Sequence, residues 1–453
     1  MMRFTTEEQA ITYIFRSLRK LRGVDRGLDE HSRNTSPTTR LLLAHNLLAA
    51  PREYAVVTGS KGKGSTTVIT AKLLQHLGHR VGMMTSPHLV SWRERIRING
   101  QMIPQSDFLR ILSHLAPEID KIEESLPDIT YFSPQGIFLA VALQWFDEQG
   151  ITVAIVEVGR GGRFDDIALV PNKLSLFTPI MLEHPDYLGP TLARIAWHKA
   201  GVIKPYSYAY SVSQPQEVLD MLRTEADMQN AEFNWISPGE VAQYIGTADN
   251  GIRLRLSRYG EVTLSLRGRY QAVNATLAVI AAGNIHGRLA GLPHGSPEYV
   301  EHVRAGLADV TWPGRCQKLQ ENPRIFIDGA INAESASAFV ESVHDDLTSP
   351  IVGIVAVPDD KDYPGVYAVM GKTCDRLILT QTTRNPILHF PDSSAATSLA
   401  REHNPDVRYQ PTLVEAVNQA KEFVGTIGTI LIAGTQSILA DAAALWGHSY
   451  ETI

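Results

Sequence analysis

The residues best suited to chemistry lie in one glycine-rich loop, Thr58-Gly-Ser-Lys-Gly-Lys-Gly-Ser-Thr66, between an apolar run and a helical pattern. Its glycines let backbone N–H groups turn inward and approach a polyanion closely. Lys63 can neutralise phosphate charge, a hydroxyl group can reach Mg²⁺, and the N-terminus of the following helix attracts anions. The loop therefore predicts a nucleoside triphosphate site. Its predicted binding residues are Gly59, Ser60, Lys61, Gly62, Lys63, Gly64, Ser65 and Thr66.

The spacing of this loop differs from the standard one, in which the lysine directly precedes the hydroxyl residue. Here Gly64 separates Lys63 from Ser65. A glycine-rich turn with a chance lysine is the alternative. The expected order of features is nevertheless present: a strand, the glycines, the lysine, two hydroxyl residues and a helix. This order favours phosphate binding.

Polar side chains also follow three other apolar runs. Ser86 follows the second run, Glu157 ends the third, and His184 follows the fourth. Open α/β sheets bind ligands at the carboxyl ends of their strands, where these residues would meet. A buried carboxylate needs a partner, which for Glu157 is either Mg²⁺ or a salt bridge to Arg160 or Arg163. Ser86 could instead belong to an ordinary proline turn.

Four further residues are weaker candidates when each is taken alone. Lys199 lies near the end of an apolar helical pattern, where a lysine usually extends its amine to solvent. Asn274 and Asp328 carry groups that can bind the base and ribose of a nucleoside. Arg315 can reach a phosphate across a cleft between domains.

The elements that must position these residues follow an alternating plan. Fully apolar runs alternate with helical patterns, which predicts an α/β fold with a mostly parallel sheet covered on both faces. The predicted strands of the first series are Tyr54–Thr58, Arg80–Thr85, Val153–Val158 and Leu174–Pro179. Those of the second series are Arg324–Ile327, Ile351–Val357, Arg376–Thr380 and Thr429–Ala433.

The length of 453 residues predicts more than one domain. We place the boundary beside Pro313-Gly314, which gives domains 1–310 and 311–453. The first domain is expected to include an N-terminal helical segment and an antiparallel excursion at about 205–267. The second is expected to be a smaller, Rossmann-like α/β domain.

Composition narrows the classes of partner. The net charge of −6, without a basic stripe, argues against nucleic acid. The sequence contains no run of eighteen apolar residues, so we expect no membrane span. Residues 1–8 lack the apolar core of a signal peptide. Two cysteines, Cys316 and Cys374, indicate a reducing compartment. We expect a cytoplasmic protein.

Taken together, these segments resemble one family. They occur in the order Thr-Gly-Ser-Lys-Gly-Lys-Gly-Ser-Thr, Thr-Ser-Pro-His-Leu, Glu-Arg-Ile-Arg-Ile-Asn-Gly, Glu-Val-Gly-Arg-Gly-Gly-Arg, Glu-His-Pro-Asp, His-Lys-Ala-Gly-Val-Ile-Lys-Pro, Trp-Pro-Gly-Arg and Asp-Gly-Ala-Ile-Asn. Residues 40–440 are thereby similar to the folylpolyglutamate synthase/dihydrofolate synthase branch of the Mur ligases. The resemblance implies an N-terminal P-loop ATPase domain and the C-terminal domain of that architecture.

The resemblance also implies a function and roles for the residues. The implied function is the ATP-dependent ligation of a small carboxylate to an amine through an acyl phosphate. The implied cofactor is Mg²⁺, bound as two ions, and the protein is expected to be a monomer. The implied catalytic residues are Lys63, His184 and Lys199. The implied metal ligands are Ser86, Glu157, His184 and Lys199, the last as a carbamylated lysine. Asn274, Arg315 and Asp328 would contact ATP.

The chain departs from this family mainly at positions expected to face the substrates. Lys61 replaces the usual Asn, Phe164-Asp-Asp-Ile-Ala168 replaces Leu-Asp-Ala-Thr-Asn, and Tyr131-Phe-Ser-Pro134 replaces the usual Thr-Phe-Glu. Glu183 replaces an Asp, and Ile331 replaces the histidine of Asp-Gly-Ala-His-Asn. The alternatives are therefore a folate ligase, a ligase for another carboxylate and a non-glutamate amine, and a non-ligating nucleotide-binding protein. Loss of Lys63 or a metal residue would favour the last, and none is lost.

Overall fold

The structure is a computed structural model, and it describes residues 3–127, 130–289, 295–382, 384–385 and 388–453. Seventeen strands occur in these ranges and form three sheets. The strands are β1 Glu53–Thr58, β2 Val81–Met84, β3 Ile96–Ile98, β4 Gln101–Met102, β5 Val153–Glu157, β6 Leu174–Phe177, β7 Tyr208–Val212, β8 Glu232–Ile236, β9 Ala242–Ala248, β10 Gly251–Leu256, β11 Gly260–Leu264, β12 Gln317–Gln320, β13 Arg324–Asp328, β14 Ile351–Ala356, β15 Arg376–Leu379, β16 Val407–Tyr409 and β17 Thr429–Gly434.

Helices cover the faces of these sheets. They are α1 Glu7–Arg19, α2 Asp29–Ser32, α3 Ser36–Ala44, α4 Lys63–His76, α5 Gln105–Glu124, α6 Pro134–Glu148, α7 Pro185–Leu188, α8 Leu192–Ala200, α9 Gln216–Met228, α10 Gln271–Arg288, α11 Pro297–Ala308, α12 Ala333–Val343, α13 Tyr363–Thr373, α14 Ser393–Arg401, α15 Leu413–Val424 and α16 Gln436–Trp446. Short 3-10 turns lie at Trp92–Arg95, Asp166–Leu169 and His344–Asp346. Among the described residues, no helix is both long and apolar enough to span a membrane.

The first sheet has eight strands in the order β4-β3-β2-β5-β1-β6-β7-β8. The antiparallel pairs in this sheet are β2 with β3 and β3 with β4, and the remaining pairs are parallel. Helices α5 and α6 cover one face and α4, α10 and α11 the other, which is why the central strands are apolar along their whole length. The register pairs Val57 with Glu157 and Met84 with Val156. The ends of these strands therefore lie side by side.

The antiparallel region is shorter than the sequence suggested. Strands β7 and β8 pair in parallel and extend the first sheet, because α9 provides the crossover between them. Only β9, β10 and β11, residues 242–264, form a separate antiparallel sheet. The expected excursion at 205–267 is thus wrong for its first thirty residues or so.

The third sheet has the order β12-β13-β17-β14-β15-β16, and all its pairs except β12 with β13 are parallel. Helices α12, α13 and α14 pack on one face, and α15 and α16 on the other. The predicted α/β class with two mostly parallel sheets is confirmed. We call the residues of the first two sheets the N-terminal part and those from β12 onward the C-terminal part.

Residues 450–453, which we call the tail segment, return from the C-terminal part to the first sheet. Met102 N–H donates to the carbonyl of Glu451 at 2.8 Å, and Ile453 N–H donates to that of Gly100 at 3.1 Å. The fully buried Arg97 donates to the carbonyl of Tyr450 at 2.6 Å. The tail segment thereby continues the sheet at the edge strand β4.

Candidate active site

The phosphate loop joins β1 to α4 in a conformation that requires glycine. Gly59 and Gly62 have φ values of 140° and 86°. A Cβ atom at Gly59 would lie 1.9 Å from Oγ1 of Thr178, and one at Gly62 would lie 2.3 Å from Oδ1 of Asn274. Both conformation and space therefore restrict these positions, and the loop stays open for a ligand.

The loop presents its polar groups as the sequence predicts. The Lys63 ammonium donates to the carbonyl oxygen of Gly59 at 3.0 Å and has no carboxylate partner among the described residues. Ser65 and Thr66 are buried in the first turn of α4, and Lys61 is exposed. This leaves the charge of Lys63 available to an anion.

A cavity of about 480 Å³ opens beside the loop and extends to the C-terminal part. Its lining also includes apolar side chains, among them Trp312, Phe339 and Ile331. The predicted residues that line it are Ser60, Lys61, Gly62, Lys63, Gly64, Ser65, Ser86, Glu157, Asn274, Arg315 and Asp328. Gly59, Thr66, His184 and Lys199 are outside this lining.

Glu157 projects its carboxylate into this cavity from the end of β5. The side chain is buried, and its Oε2 accepts a hydrogen bond from the backbone N–H of Ser86 at 2.9 Å. Burial raises the pKa of Glu157, while Lys63, the Ser86 N–H, Arg315 and Arg95 oppose that rise. No salt bridge joins Glu157 to Arg160 or Arg163, which pair instead with Asp29 and Glu225.

The donor set fits a divalent cation held jointly with phosphates. Glu157 and Ser86 supply oxygen atoms at the cavity wall, and Mg²⁺ is commonly bound through one or two carboxylates plus substrate phosphates. No group of three or more His, Cys, Asp and Glu residues is arranged as a metal cage in the described ranges. His184 is exposed and directly precedes the short helix α7. Its predicted metal role remains a prediction.

Lys199 lies deeper, behind the phosphate loop. Its fully buried ammonium donates to the carbonyl oxygens of Gly59 and Arg160, at 2.8 Å and 2.9 Å, and to Glu183 Oε1 at 3.2 Å. Burial, helped by the charge of Lys63, lowers the pKa of Lys199 to about 8, although Glu183 opposes this. All three N–H bonds of the ammonium are therefore used, and carbamylation remains a prediction.

Glu183 is a site residue to which the sequence assigned no partner. Burial alone would raise its pKa, but Lys199 and Lys63 hold the pKa of this carboxyl below its usual value. Its place beside His184, at the end of a predicted strand, was a signal that a carboxylate would face the site. The contact with Lys199 could not be read from the sequence, because it joins the segment after β6 to helix α8.

A second unpredicted feature fixes the loop that carries Arg160. The carboxylate of the buried Asp29 accepts from Arg160 Nε at 2.9 Å, and Asp165 accepts from the N–H of Gly159 at 3.2 Å. Arg33 lies 3.3 Å from Asp165. The N-terminal segment thereby holds the loop whose carbonyl oxygen contacts Lys199.

Two predicted charged residues, Asp328 of the C-terminal part and Arg315 just before β12, line the cavity opposite the phosphate loop. Asp328 ends β13, and its Oδ2 accepts from the backbone N–H of Cys316 at 2.9 Å. Burial raises the pKa of Asp328, against the opposing charges of Arg315 and Lys61. Arg315 donates to the carbonyl of Gly314 at 2.9 Å. Neither residue has a salt bridge within the described part of the chain, so both remain free to bind a ligand.

The chain is similar in sequence to a known domain family and to known proteins. The model of the Mur ligase middle domain matches residues 57–282. A dihydrofolate synthase/folylpolyglutamate synthase of Mycobacterium tuberculosis is 30% identical over 419 residues, 85% of this chain and 82% of that relative. One of Bacillus subtilis is 31% identical over 316 residues, 68% of this chain and 71% of the relative.

A solved structure extends this similarity to the whole fold. The folylpolyglutamate synthase of Mycobacterium tuberculosis, solved with ADP and AMPPCP, matches with a TM-score of 0.80 and 27% identity. The match covers 98% of this chain and 100% of that one. The chain therefore belongs to the folylpolyglutamate synthase/dihydrofolate synthase family, an ATP-dependent, amide-forming branch of the Mur ligases.

Proposed function

We propose that the cavity binds ATP and uses it to join a small-molecule carboxylate to an amine. The observation that carries this proposal is the convergence of the phosphate loop, Glu157 and the Arg315–Asp328 pair on one cavity. In the first step a carboxylate oxygen bonds to the γ-phosphorus, and the bond to the bridging oxygen of ADP breaks. In the second, the amine nitrogen bonds to the acyl carbon, phosphate leaves and the nitrogen loses a proton.

The residues of the chain act chiefly by position and charge. The loop N–H groups and Lys63 hold the terminal phosphates, and Arg315 adds positive charge from the opposite wall. Asp328 is a buried acceptor suited to ribose hydroxyl groups, and Asn274 lies beside Gly62 under the phosphates. Because these groups are fixed before the reaction, little reorganisation is needed when charge develops.

A divalent cation completes the proposed site. Glu157 and Ser86 would hold one ion, which neutralises phosphate charge when bound. For a second ion we propose His184 and a carbamylated Lys199. The solved relative with ADP and AMPPCP supports nucleotide binding, whereas the number of ions and the state of Lys199 rest on the resemblance alone.

The substrate class follows from the relatives. Their names indicate dihydrofolate and folylpolyglutamate synthesis, so we propose a folate-type carboxylate as the first candidate. The experiment is a phosphate-release assay with ATP, dihydropteroate or tetrahydrofolate, and a panel of amines. Release that requires both a carboxylate and an amine supports ligation. Release with neither would indicate a simple nucleotidase and contradict the proposal.

The second candidate is the same reaction with an amine other than L-glutamate. Ile331 forms part of the cavity wall, and its aliphatic side chain cannot hydrogen-bond a carboxylate or an amine. The neighbouring Glu334, also in the lining, would repel the carboxylates of glutamate. These two side chains favour an amine with less negative charge.

We also keep the predicted domains, 1–310 and 311–453, as a proposal that the change of sheet between β11 and β12 supports. We also propose that the protein is a cytoplasmic monomer. Its proposed partners are small molecules rather than nucleic acid or a membrane. Light scattering at micromolar concentration would test the monomer.

A further inference from the structure

The side chain of Gln436 is a polar group of the cavity that the proposed reaction does not yet use. Gln436 is the first residue of α16, directly after β17, and it lines the cavity. It is half-buried, and its side-chain amide makes no hydrogen bond within the described ranges. Asn274, another amide of the lining, donates to Gln271 Oε1 at 2.8 Å. The amide of Gln436 is therefore free both to donate to a ligand and to accept from it.

The start of α16 lies on the side of the cavity that carries Ser86. Ser86 and Leu89 belong to one short segment, and both line the cavity. Leu89 packs against an apolar cluster of the C-terminal part that includes Leu439 of α16. Because the Ser86 N–H donates to Glu157 at 2.9 Å, this side is also the proposed place of phosphoryl transfer. Gln436 thus lies towards the reacting end of the cavity.

An aliphatic residue follows the neighbouring strand. Strands β13 and β17 pair in parallel, with Asp328 in register with Ala433. Ile331 and Gln436 each follow three residues later, and both line the cavity. One strand end therefore supplies an amide and the next an apolar side chain. This combination suits a ligand group that is polar but uncharged, because burial of a charge without a counter-ion is costly.

The cations of the cavity balance only one further carboxylate. Within the described part of the chain, four cationic side chains line it, which are Lys61, Lys63, Arg97 and Arg315. Lys63 and Arg315 are assigned to the phosphates in the proposed function. Arg97 donates to four backbone carbonyl oxygens at 2.6 to 3.1 Å. The exposed Lys61 remains, and one cation can balance the α-carboxylate of an amino acid but not a second carboxylate.

We propose that the amine substrate is an amino acid whose side chain ends in a carboxamide, and that Gln436 selects this group. This inference rests on the proposed function and names the class of its amine. The Gln436 amide donates to the carboxamide oxygen and accepts from the carboxamide N–H. A side-chain carboxylate in the same place meets the Gln436 oxygen, which repels it, and has no cation.

The test is calorimetric titration of L-glutamine and L-glutamate into protein saturated with MgAMPPCP. The two amino acids differ only in the terminal group of the side chain. L-Glutamine should bind about tenfold more tightly, because both of its amide groups find partners. Equal affinities, tighter binding of L-glutamate or binding of neither would overturn the inference. Failure to bind MgAMPPCP would instead overturn the proposed use of ATP, on which the inference rests.

Substitution of Gln436 connects the preference to this residue. Gln436→Leu should weaken the binding of L-glutamine about tenfold, because the carboxamide loses its partner. Gln436→Lys supplies a cation, so it should reverse the preference in favour of L-glutamate. The affinity for MgAMPPCP should stay within about twofold in both variants. Unchanged amino-acid affinities in the two variants would contradict a direct contact.

Gln419 of α15 provides a matched control. It is another half-buried glutamine of the C-terminal part, and its Oε1 has no hydrogen-bond partner among the described residues. It is outside the lining of the cavity. Gln419→Leu should therefore leave the affinities for both amino acids unchanged. An equal loss in Gln419→Leu would mean that disturbance of the C-terminal part is responsible, and would contradict selection by Gln436.

Discussion

Two lysines of the site differ sharply in their surroundings although both donate to the carbonyl of Gly59. Lys63 is half-buried and lines the cavity, whereas Lys199 is fully buried behind the loop. The first is therefore suited to a ligand that enters and leaves, and the second to a fixed structural or modified state. Substitutions of the two lysines should therefore affect different measurable properties.

Lys63→Ala should lower ATP turnover by about a hundredfold to a thousandfold, because a positive charge aimed at the phosphates is lost. The melting temperature should change little, since Lys63 bonds only to loop carbonyl oxygens. Steady-state phosphate release and thermal melting measure the two effects. Lys121→Ala, which removes an exposed lysine of α5, is the control. Turnover within a few-fold of the unchanged protein would refute the assignment of the loop.

Carbamylation of Lys199 should depend on pH in a definite direction. A carbamate forms only on the neutral amine, and the pKa of about 8 means that this form increases as the pH rises through 8. A ¹³C signal from labelled bicarbonate should therefore grow between pH 7 and pH 9 in the metal-loaded protein. Lys199→Arg should lack the signal. A metal-loaded, active protein with no signal would contradict the carbamate.

Ile331→His should improve the use of L-glutamate if the rest of the amine pocket is folate-like. A polar substrate group left unpaired against isoleucine loses about 1–3 kcal/mol, which corresponds to about tenfold to a hundredfold in affinity. KM values for glutamate in the two proteins measure the difference. Efficient ligation of dihydropteroate to glutamate by the unchanged protein would show that Ile331 does not select against glutamate.

At the scale of elements, the sequence predicted best where one local pattern determines the structure. The runs at β1, β5 and β17 are apolar throughout, because both faces are covered, and their predicted bounds agree with the structure within one residue. Strand β8 was assigned to the antiparallel excursion rather than to the first sheet, since exposure leaves it with a mixed pattern. Its pairing depends on the α9 crossover, which no short window of sequence contains.

The residues of the candidate site also differ in how far the local sequence predicts them. The position of Lys63 at a cavity could be predicted from its spacing to the loop glycines, and that these residues bind phosphate stays a prediction. The pairs Lys199–Glu183 and Arg160–Asp29 could not be predicted, because each joins segments that only the folded chain brings together.

The element most sensitive to substitution should be the turn between β1 and α4. Gly59→Ala would place a methyl group 1.9 Å from Thr178 Oγ1 and 2.8 Å from its carbonyl oxygen, at a φ of 140°. We expect loss of nucleotide binding and a fall in stability of about 1–3 kcal/mol. Gly150→Ala is the control, because its φ is also positive but nothing lies within 4 Å. Similar melting curves for the two variants would contradict this reasoning.

At the scale of the whole molecule, the tail segment is a second link between the two parts. Gly100→Ala should displace it, because a Cβ atom there would lie 2.1 Å from the carbonyl oxygen of Ile453. The amides of Met102 and Ile453 should then exchange hydrogen faster, as measured by mass spectrometry or NMR. Gly78→Ala, with a φ of 89° and free space around it, should leave this exchange unchanged. Unchanged protection in Gly100→Ala would show that the tail is not held at Gly100.

The tail also restricts how the C-terminal part can move. The chain enters that part through the segment 312–315, and residues 450–453 anchor it again at β4. A rigid body fixed at two points has one rotational freedom, about the line that joins them. Arg315 lies next to one of these points and would be displaced least by such a rotation, so its position relative to the phosphate loop would be nearly independent of how far the cleft opens.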